Sequence, residues 1–430
     1  MNKPLRIGIT GLGTVGCGAI NILHKNAELI ANRCGRSIEI VAVTAGNKNK
    51  KREADISGLK WVNSPLDMVS DNSIDVVVEA IGGSEGIARE LVEKSLSAGK
   101  SVVTANKALI AHHGIGLAKL AEQHNAMLAF EAAVAGGIPV IKALRDGLAA
   151  NRFTHIAGII NGTCNYILTR MQNEGLDLQV VMEEAGKLGY LEADPSFDID
   201  GIDAAHKLSI LTSLAFGCAP SLDKVYMEGI RGVSKYDIEF ARELGYVVKL
   251  LGIASLSDEG ILQRVHPALV PVSSPLANVN GSFNAIQIEG DAVGTVFLEG
   301  RGAGAGPTGS SVVADIMDIA RGVAYKPFTL PVASLKAPKF ASMDKLKCSY
   351  YLRLSVIDKP GVLADVTSIF RDAQISMRSV IQHSHNPGEV VQIVVTTHET
   401  QEASMQKAMD AIAKLATVKD KPYRIRIENV

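Results

Sequence analysis

The 430-residue sequence predicts a three-part fold of the α/β class: a doubly wound parallel sheet, an α+β unit, and a small ferredoxin-like βαββαβ unit. Three observations predict it. Short β-branched runs alternate with helically spaced segments early in the chain. Longer strand-like runs with bunched helices follow. The last elements come in the order strand, helix, strand, strand, helix, strand.

Taken in order, Leu5–Thr10, Ile38–Val43, Asp75–Ala80, Ser101–Thr104 and Ala126–Glu131 read as strands, with helical spacing over Ile87–Ser97 and Ile115–Gln123. Strands separated by helices pair in parallel through right-handed crossovers. Beyond Arg145-Asp146-Gly147 come Phe153–Ile160, Val247–Ala254 and Ala292–Leu298, grouped so as to suggest a mostly antiparallel sheet. Pro307 and Thr308 open a helix running to Arg321, with Val312, Val313, Ile316 and Ile319 on helical spacing. Pro327, Pro331 and Pro338 mark an aperiodic linker. The closing unit runs Tyr350–Val356, Gly361–Ala373, Ser376–His383, Glu389–Thr397, Gln401–Ala416 and Pro422–Ile427. The expected domains are therefore 1–150, completed by the 307–321 helix, then 151–325, a 326–346 linker, and 347–430.

Composition narrows the function. With 44 basic and 45 acidic residues there is no overall basic field to attract nucleic acid or an anionic membrane. Five scattered cysteines without C-x-x-C spacing argue against a disulfide framework or zinc site and for a reducing compartment. MNKPLRIGIT leads straight into a strand, so neither a signal peptide nor a membrane span is expected, and the expected location is cytoplasmic.

Gly11-Leu12-Gly13-Thr14-Val15-Gly16 follows a strand and opens a helical pattern, the context of the Rossmann dinucleotide-binding fingerprint. The first glycine permits the turn, the second lets backbone approach a pyrophosphate, and the third lets helix pack on strand. The anion then meets free N–H groups at the helix start. The second strand ends Val43-Thr44-Ala45-Gly46-Asn47, without the carboxylate that would bind a ribose 2′-OH, and Lys48, Lys50, Lys51 and Arg52 follow. That suits a 2′-phosphate, hence NADP with NAD still possible, although a solvated basic loop gives the same pattern. Thr104 and Lys107, at the end of the Ser101–Thr104 strand, and the glycine-rich Gly302–Thr308 stretch before a helix are further candidates for the cofactor's surroundings.

Four stretches then converge: 101–108 (SVVTANKA), 130–139 (FEAAVAGGIP), 161–166 (NGTCNY), and 189–195 (GYLEADP) continuing into 200–207 (DGIDAAHK). In this order they closely resemble homoserine dehydrogenase over essentially the whole chain, and the C-terminal unit resembles an ACT domain. The resemblance implies reversible NAD(P)H-dependent interconversion of aspartate 4-semialdehyde and homoserine. The residues make chemical sense beside it, since reducing an aldehyde needs a hydride and a proton or positive charge at the developing alkoxide. Lys107 follows a parallel strand at the edge where ligands of such sheets collect. Asp203 and Lys207 share a helix face at i, i+4, although such pairs commonly lie on surfaces. The resemblance makes Lys107 and Lys207 the lysines at the reacting carbonyl, with Lys207 the proton donor and Asp203 its assistant and a substrate contact. It makes Glu192 the holder of the substrate's ammonium. His112, His113 and His206 are not expected to be catalytic.

The resemblance also implies a monovalent cation, sodium or potassium, held mainly by carbonyl oxygens of Glu131, Val134, Gly136 and Ile138. Oxygen donors suit a hard cation. In the ACT unit, Asp358-Lys359-Pro360-Gly361-Val362-Leu363 lies at the turn where such domains receive an amino acid, and threonine is the expected effector. A homodimer or homotetramer is expected, because pairing ACT units hides strand edges. Two rivals stand beside this reading. One is another ACT-bearing dehydrogenase acting on a 2-hydroxy acid or prephenate-like substrate, which would rely on a catalytic histidine. The other is a nucleotide sensor without turnover, which has no use for Lys107, Glu192, Asp203 and Lys207 together.

Overall fold

The computed structural model describes residues 3–187, 194–383 and 386–430. Its first sheet has six parallel strands in the order Lys60–Trp61, Ile38–Thr44, Leu5–Thr10, Val76–Glu79, Ser101–Thr104, Leu128–Ala129. The strand order reverses between Leu5–Thr10 and Val76–Glu79, the kind of switch point outside whose carboxyl ends ligands of such sheets bind. The expected strand Ala126–Glu131 shortens to Leu128–Ala129, because a 3₁₀ turn at Glu131–Ala133 takes over its end.

The helix Ala305–Ala320 returns from far along the chain and packs on Thr14–Lys25. Two glycines permit the approach. A Cβ on Gly18 would stand 2.0 Å from the Ala305 carbonyl oxygen, and one on Gly309 would stand 2.7 Å from the Gly18 carbonyl carbon. Val312, Val313 and Ile316 of the returning helix share one core with Leu5, Ile7, Ile9 and Ile20.

The second sheet is mostly antiparallel. Gly294–Arg301, Phe283–Gly290, Phe153–Ile159, Tyr246–Ser257 and Gly260–Pro271 lie side by side in that order. The expected strand at 292–298 begins instead at Gly294. Asn151 Oδ1 accepts the N–H groups of Ala292 and Val293 at 3.3 and 2.9 Å and holds them in the preceding turn. Helices Gly162–Glu174 and Ile202–Phe216 cover the sheet and share its core through Cys164, Ile167, Leu208 and Leu211.

The C-terminal unit has the expected order: Lys347–Ile357, Val362–Asp372, Met377–Ile381, Val390–Thr397, Glu402–Ile412 and Tyr423–Ile427. Its central strands are buried on both faces. Tyr350, Leu352 and Leu354 pack under its own helices, while Tyr351, Val394 and Ile425 face the core of the central unit. Tyr423–Ile427 also pairs in parallel with Gly260–Pro271, so the second sheet runs unbroken into the third unit. Tyr351 and Arg353 both donate to Asp237, at 3.0 and 2.8 Å, and Arg264 forks onto Glu428 across the seam.

Candidate active site

Gly11 ends the first strand at φ +85°, and a Cβ there would sit 2.2 Å from the Ala80 carbonyl oxygen. A Cβ on Gly16 would sit 2.0 Å from the Gly11 carbonyl oxygen, whereas nothing lies within 4 Å of one on Gly13. The outer glycines thus serve the turn itself, and the middle one leaves open backbone. Gly13 caps the helix Thr14–Lys25 without a side-chain hydrogen bond, which leaves first-turn N–H groups for an anion. Leu12 packs into the core of the first sheet, while Thr14 and Val15 line the adjoining cleft.

Arg52 organises the loop after the second strand. Its guanidinium donates to the carbonyls of Lys48 and Lys50 at 2.9 and 2.7 Å, and also to that of Asn47, and it lies 5.2 Å from the centre of the Trp61 ring. Lys51 beside it is exposed. At the end of the next strand, buried Glu79 accepts the N–H groups of Ile81 and Gly82 at 2.7 and 3.0 Å, together with the Thr104 hydroxyl. Thr104 accepts from Asn106 N–H at 2.9 Å, and Asn106 caps the helix Lys107–Gln123. The Thr104 side chain therefore braces the turn that sets Lys107 at the helix start.

Lys107 and Lys207 converge on one carboxylate. Lys107 Nζ stands 3.0 Å from Asp203 Oδ1, and Lys207 Nζ donates to Asp203 Oδ2 and to the Ile160 carbonyl, each at 2.7 Å. One lysine comes from the first unit and the other from the central unit. Asn161 caps Gly162–Glu174 through Oδ1 and bridges Asp198 and Asp203 through Nδ2, at 2.7 and 2.9 Å. Burial alone would raise Asp203, yet the two ammonium groups hold it well below the usual carboxylate range. At Asp198 burial outweighs the Asn161 hydrogen bond and the same two ammonium groups, and its carboxyl is raised. His206 is pushed down to about 4 by burial, with His112 nearby, and stacks edge-on at 5.3 Å against that ring. The charged groups that meet at this point are thus two lysines and a carboxylate.

A cleft of about 680 Å³ joins these parts. Thr14, Val15, Lys107, Gly136, Asp203, Lys207 and Gly302 line it, with Asn161, Thr163, Tyr166 and Asp198 beside them. Lys51, Arg52 and Thr104 are not part of that lining. Glu192 lies outside the described residues. Sequence reasoning passed over Asp198 and the bridging role of Asn161. Asp198 stands in a run with Asp200 and Asp203, and nothing in the spacing tells which of them turns inward.

The turn named for a cation has Ala135 at φ +55° and Gly136 at φ +52°. Its carbonyls already take part in the fold. Glu131 accepts from Val134 at 3.4 Å, Gly136 from the Ser311 hydroxyl at 2.6 Å, and Ile138 from Val140 at 2.8 Å. Each of these three carbonyls keeps a second lone pair, and neutral oxygen donors are the kind that suits a hard monovalent ion. The Glu131 carboxyl receives the N–H groups of Ile141 and Lys142 at 2.9 and 2.8 Å, so it serves as a helix cap.

Among the described residues, no helix is long and apolar enough to cross a membrane. Residues 11–131 match the family model described as the NAD-binding domain of homoserine dehydrogenase, 139–317 match that of homoserine dehydrogenase, and 350–417 match that of the ACT domain. A homoserine dehydrogenase of Neisseria gonorrhoeae is 45% identical over 439 residues, spanning 100% of this chain and 99% of its own. The crystal structure of a homoserine dehydrogenase from Thiobacillus denitrificans aligns with a TM-score of 0.93 at 46% identity, over 99% of each chain. A hyperthermophilic archaeal homoserine dehydrogenase in complex with NADPH aligns with a TM-score of 0.64 at 29% identity, over 75% of this chain and 100% of its own. Matched from the glycine turn through the lysine pair to the C-terminal unit, the chain belongs to the homoserine dehydrogenase family, oxidoreductases with a nicotinamide-binding domain, here joined to an ACT domain.

Proposed function

We propose that the protein reduces L-aspartate 4-semialdehyde to L-homoserine, reversibly, with Lys207 delivering the proton and threonine acting through the ACT unit. The observation that carries this reading is the convergence of Lys107 and Lys207 on Asp203 inside the cleft that opens onto the glycine turn. A bound nicotinamide supplies the hydride at the aldehyde carbon. Negative charge then develops on the aldehyde oxygen. Two lysines sharing one ionised carboxylate leave an excess of positive charge to meet it. Lys207 Nζ–H transfers its proton to that oxygen, and the resulting amine recovers one from solvent. Asp203 holds both lysines in place, and Glu192 is assigned to the substrate's ammonium. A monovalent cation at the carbonyls of Glu131, Val134, Gly136 and Ile138 would brace the wall of the cleft without entering the chemistry.

NADP is the preferred cofactor in this reading, because Ile38–Thr44 ends without a carboxylate and the Arg52 loop lies just beyond it. The NADPH complex of the archaeal relative is consistent with that choice. Threonine is assigned to the cavity of about 520 Å³ around Asp358–Leu363, where Gly361, at φ +95°, opens the helix Val362–Asp372. The outermost strand of the second sheet, Gly294–Arg301, is only partly covered and is the edge we assign to self-association as a dimer or tetramer. Five unpaired cysteines suit the cytoplasm.

The test follows loss of reduced-nicotinamide absorbance with aspartate 4-semialdehyde, using NADPH, then NADH, then NADPH with added threonine. Turnover favouring NADPH and slowed by threonine is expected. Folded protein that binds NADPH without turnover would overturn the reading in favour of the sensor, and a rate indifferent to threonine would remove the effector assignment.

A further inference from the structure

The third unit contributes a buried arginine to the central one. Arg426, on Tyr423–Ile427, is fully buried and grips Glu402 of its own unit at 2.9 and 2.6 Å. It also reaches across the seam. Its Nη1 donates to Glu228 Oε2 at 2.9 Å and its Nη2 to the Tyr226 hydroxyl at 3.1 Å, while Tyr226 donates to the same Glu228 oxygen at 2.9 Å. The Glu228 N–H is bound to the Val265 carbonyl at 2.8 Å, on the strand that pairs with Arg426. Side-chain and backbone anchors of Glu228 therefore both end at the seam.

Glu228 opens a run of four residues laid against the active-site turn. A Cβ on Gly229 would stand 2.1 Å from the Ile199 carbonyl oxygen and 2.5 Å from Asp200 Cα. The N–H of Ile230 donates to Ile199 at 2.9 Å. Arg231 forks onto both carboxylate oxygens of Asp200 and reaches the Ser196 hydroxyl at 3.0 Å. The segment held in this way contains Asp198, the partner of Asn161, and leads directly into the helix carrying Asp203 and Lys207.

We propose that residues 228–231 form a strap by which Arg426 of the ACT unit positions the Ser196–Asp203 turn, making Glu228, Gly229 and Arg231 positioning residues for hydride transfer. The inference rests on the dehydrogenase reading of the lysine pair. None of the three is among the residues lining the cleft, and each acts through its grip on the turn. The ACT unit is then a mechanical support of the active site as well as a place for an effector. A shift of Arg426 reaches Asp203 through hydrogen bonds, one glycine contact and the short backbone stretches that join them.

Glu228→Gln removes the charge that Arg426 holds, Gly229→Ala forces a methyl against Ile199, and Arg231→Gln releases Asp200. Each is expected to lower kcat about tenfold with the KM for NADPH unchanged, since misplacement by ~1 Å can cost that much or more. Hydrogen exchange should quicken in residues 196–205, and Arg231→Lys should recover part of the loss. A merely structural role would lower the melting temperature while the folded fraction kept its kcat, and wild-type kcat in the folded variants overturns the strap. Should Gly229→Ala fail to fold, Glu228→Gln and Arg231→Gln decide, at positions where the side chains are 27% and 51% exposed. A wild-type enzyme without turnover would sink the functional reading instead. The exchange at 196–205 then judges the strap alone, and unchanged exchange overturns it.

Discussion

Lys207 has three N–H donors, of which one meets the Ile160 carbonyl and another Asp203, both at 2.7 Å. Two donors are thus taken, and in the proposed reaction the third is the one that meets the aldehyde oxygen. Asp203 orients the lysine without competing as an acid, because the paired ammonium groups keep it ionised. Lys207→Met keeps an unbranched, apolar stem one atom shorter and has no donor. We expect kcat to fall by about 10²–10⁴, the range of a lost general acid, while the NADPH Kd stays near wild type because the glycine turn is untouched. Stopped-flow turnover with fluorescence titration of NADPH checks both halves. A loss of only a few-fold would hand proton delivery to Lys107, which sits 3.0 Å from the same carboxylate and over the Phe197 ring at 5.3 Å.

Among the elements, the pairing of Thr14–Lys25 with Ala305–Ala320 has the least tolerance, since backbone meets backbone at Gly18 and Gly309. Gly18→Val drives two methyls into the Ala305 carbonyl. Overpacking of this kind costs about 1–3 kcal/mol, and Thr14–Lys25 is the helix whose N-terminus we assign to the cofactor. The expected outcome is a lower melting temperature together with a raised KM for NADPH; a KM unchanged in the folded variant would show that the helix start is held by the glycine turn alone. Elements with a clean period were legible in the sequence: Leu5–Thr10, Ser101–Thr104 and Ile87–Ser97 stand with the bounds their patterns suggest. Gly260–Pro271 was not, because it is buried at nearly every position and shows no alternation, and Lys60–Trp61 is too short to have a period. In the site, the i, i+4 spacing gave Asp203 with Lys207. Their meeting with Lys107 depends on how the two units pack, and the hydrogen bond from Asn161 to Asp198 joins residues 37 apart.

At the scale of the whole molecule, the chain reads as three domains in series but folds with the last one set into the second. Arg426 and Glu228 are 198 residues apart in sequence, a separation no local pattern can signal. The seam is made of groups that water cannot easily replace. Arg264 and His266 both meet Glu428 in the interior, Arg353 meets Asp237, and Tyr351 is fully buried against the central unit. Removing residues 347–430 would uncover the edge of Gly260–Pro271 and leave Arg264 and Asp237 without these partners. Breaking a buried ion pair by deleting one partner costs about 3–5 kcal/mol, and the bared strand edge invites pairing between chains. The fragment ending at residue 346 is therefore expected to aggregate or melt well below the full chain, and not to behave as an unregulated enzyme. Size-exclusion chromatography with light scattering and a thermal melt decide the matter. A monodisperse fragment with wild-type kcat and melting temperature would mean that the seam only holds the ACT unit in place, whereas loss of both shows that the central unit needs it to hold its own shape.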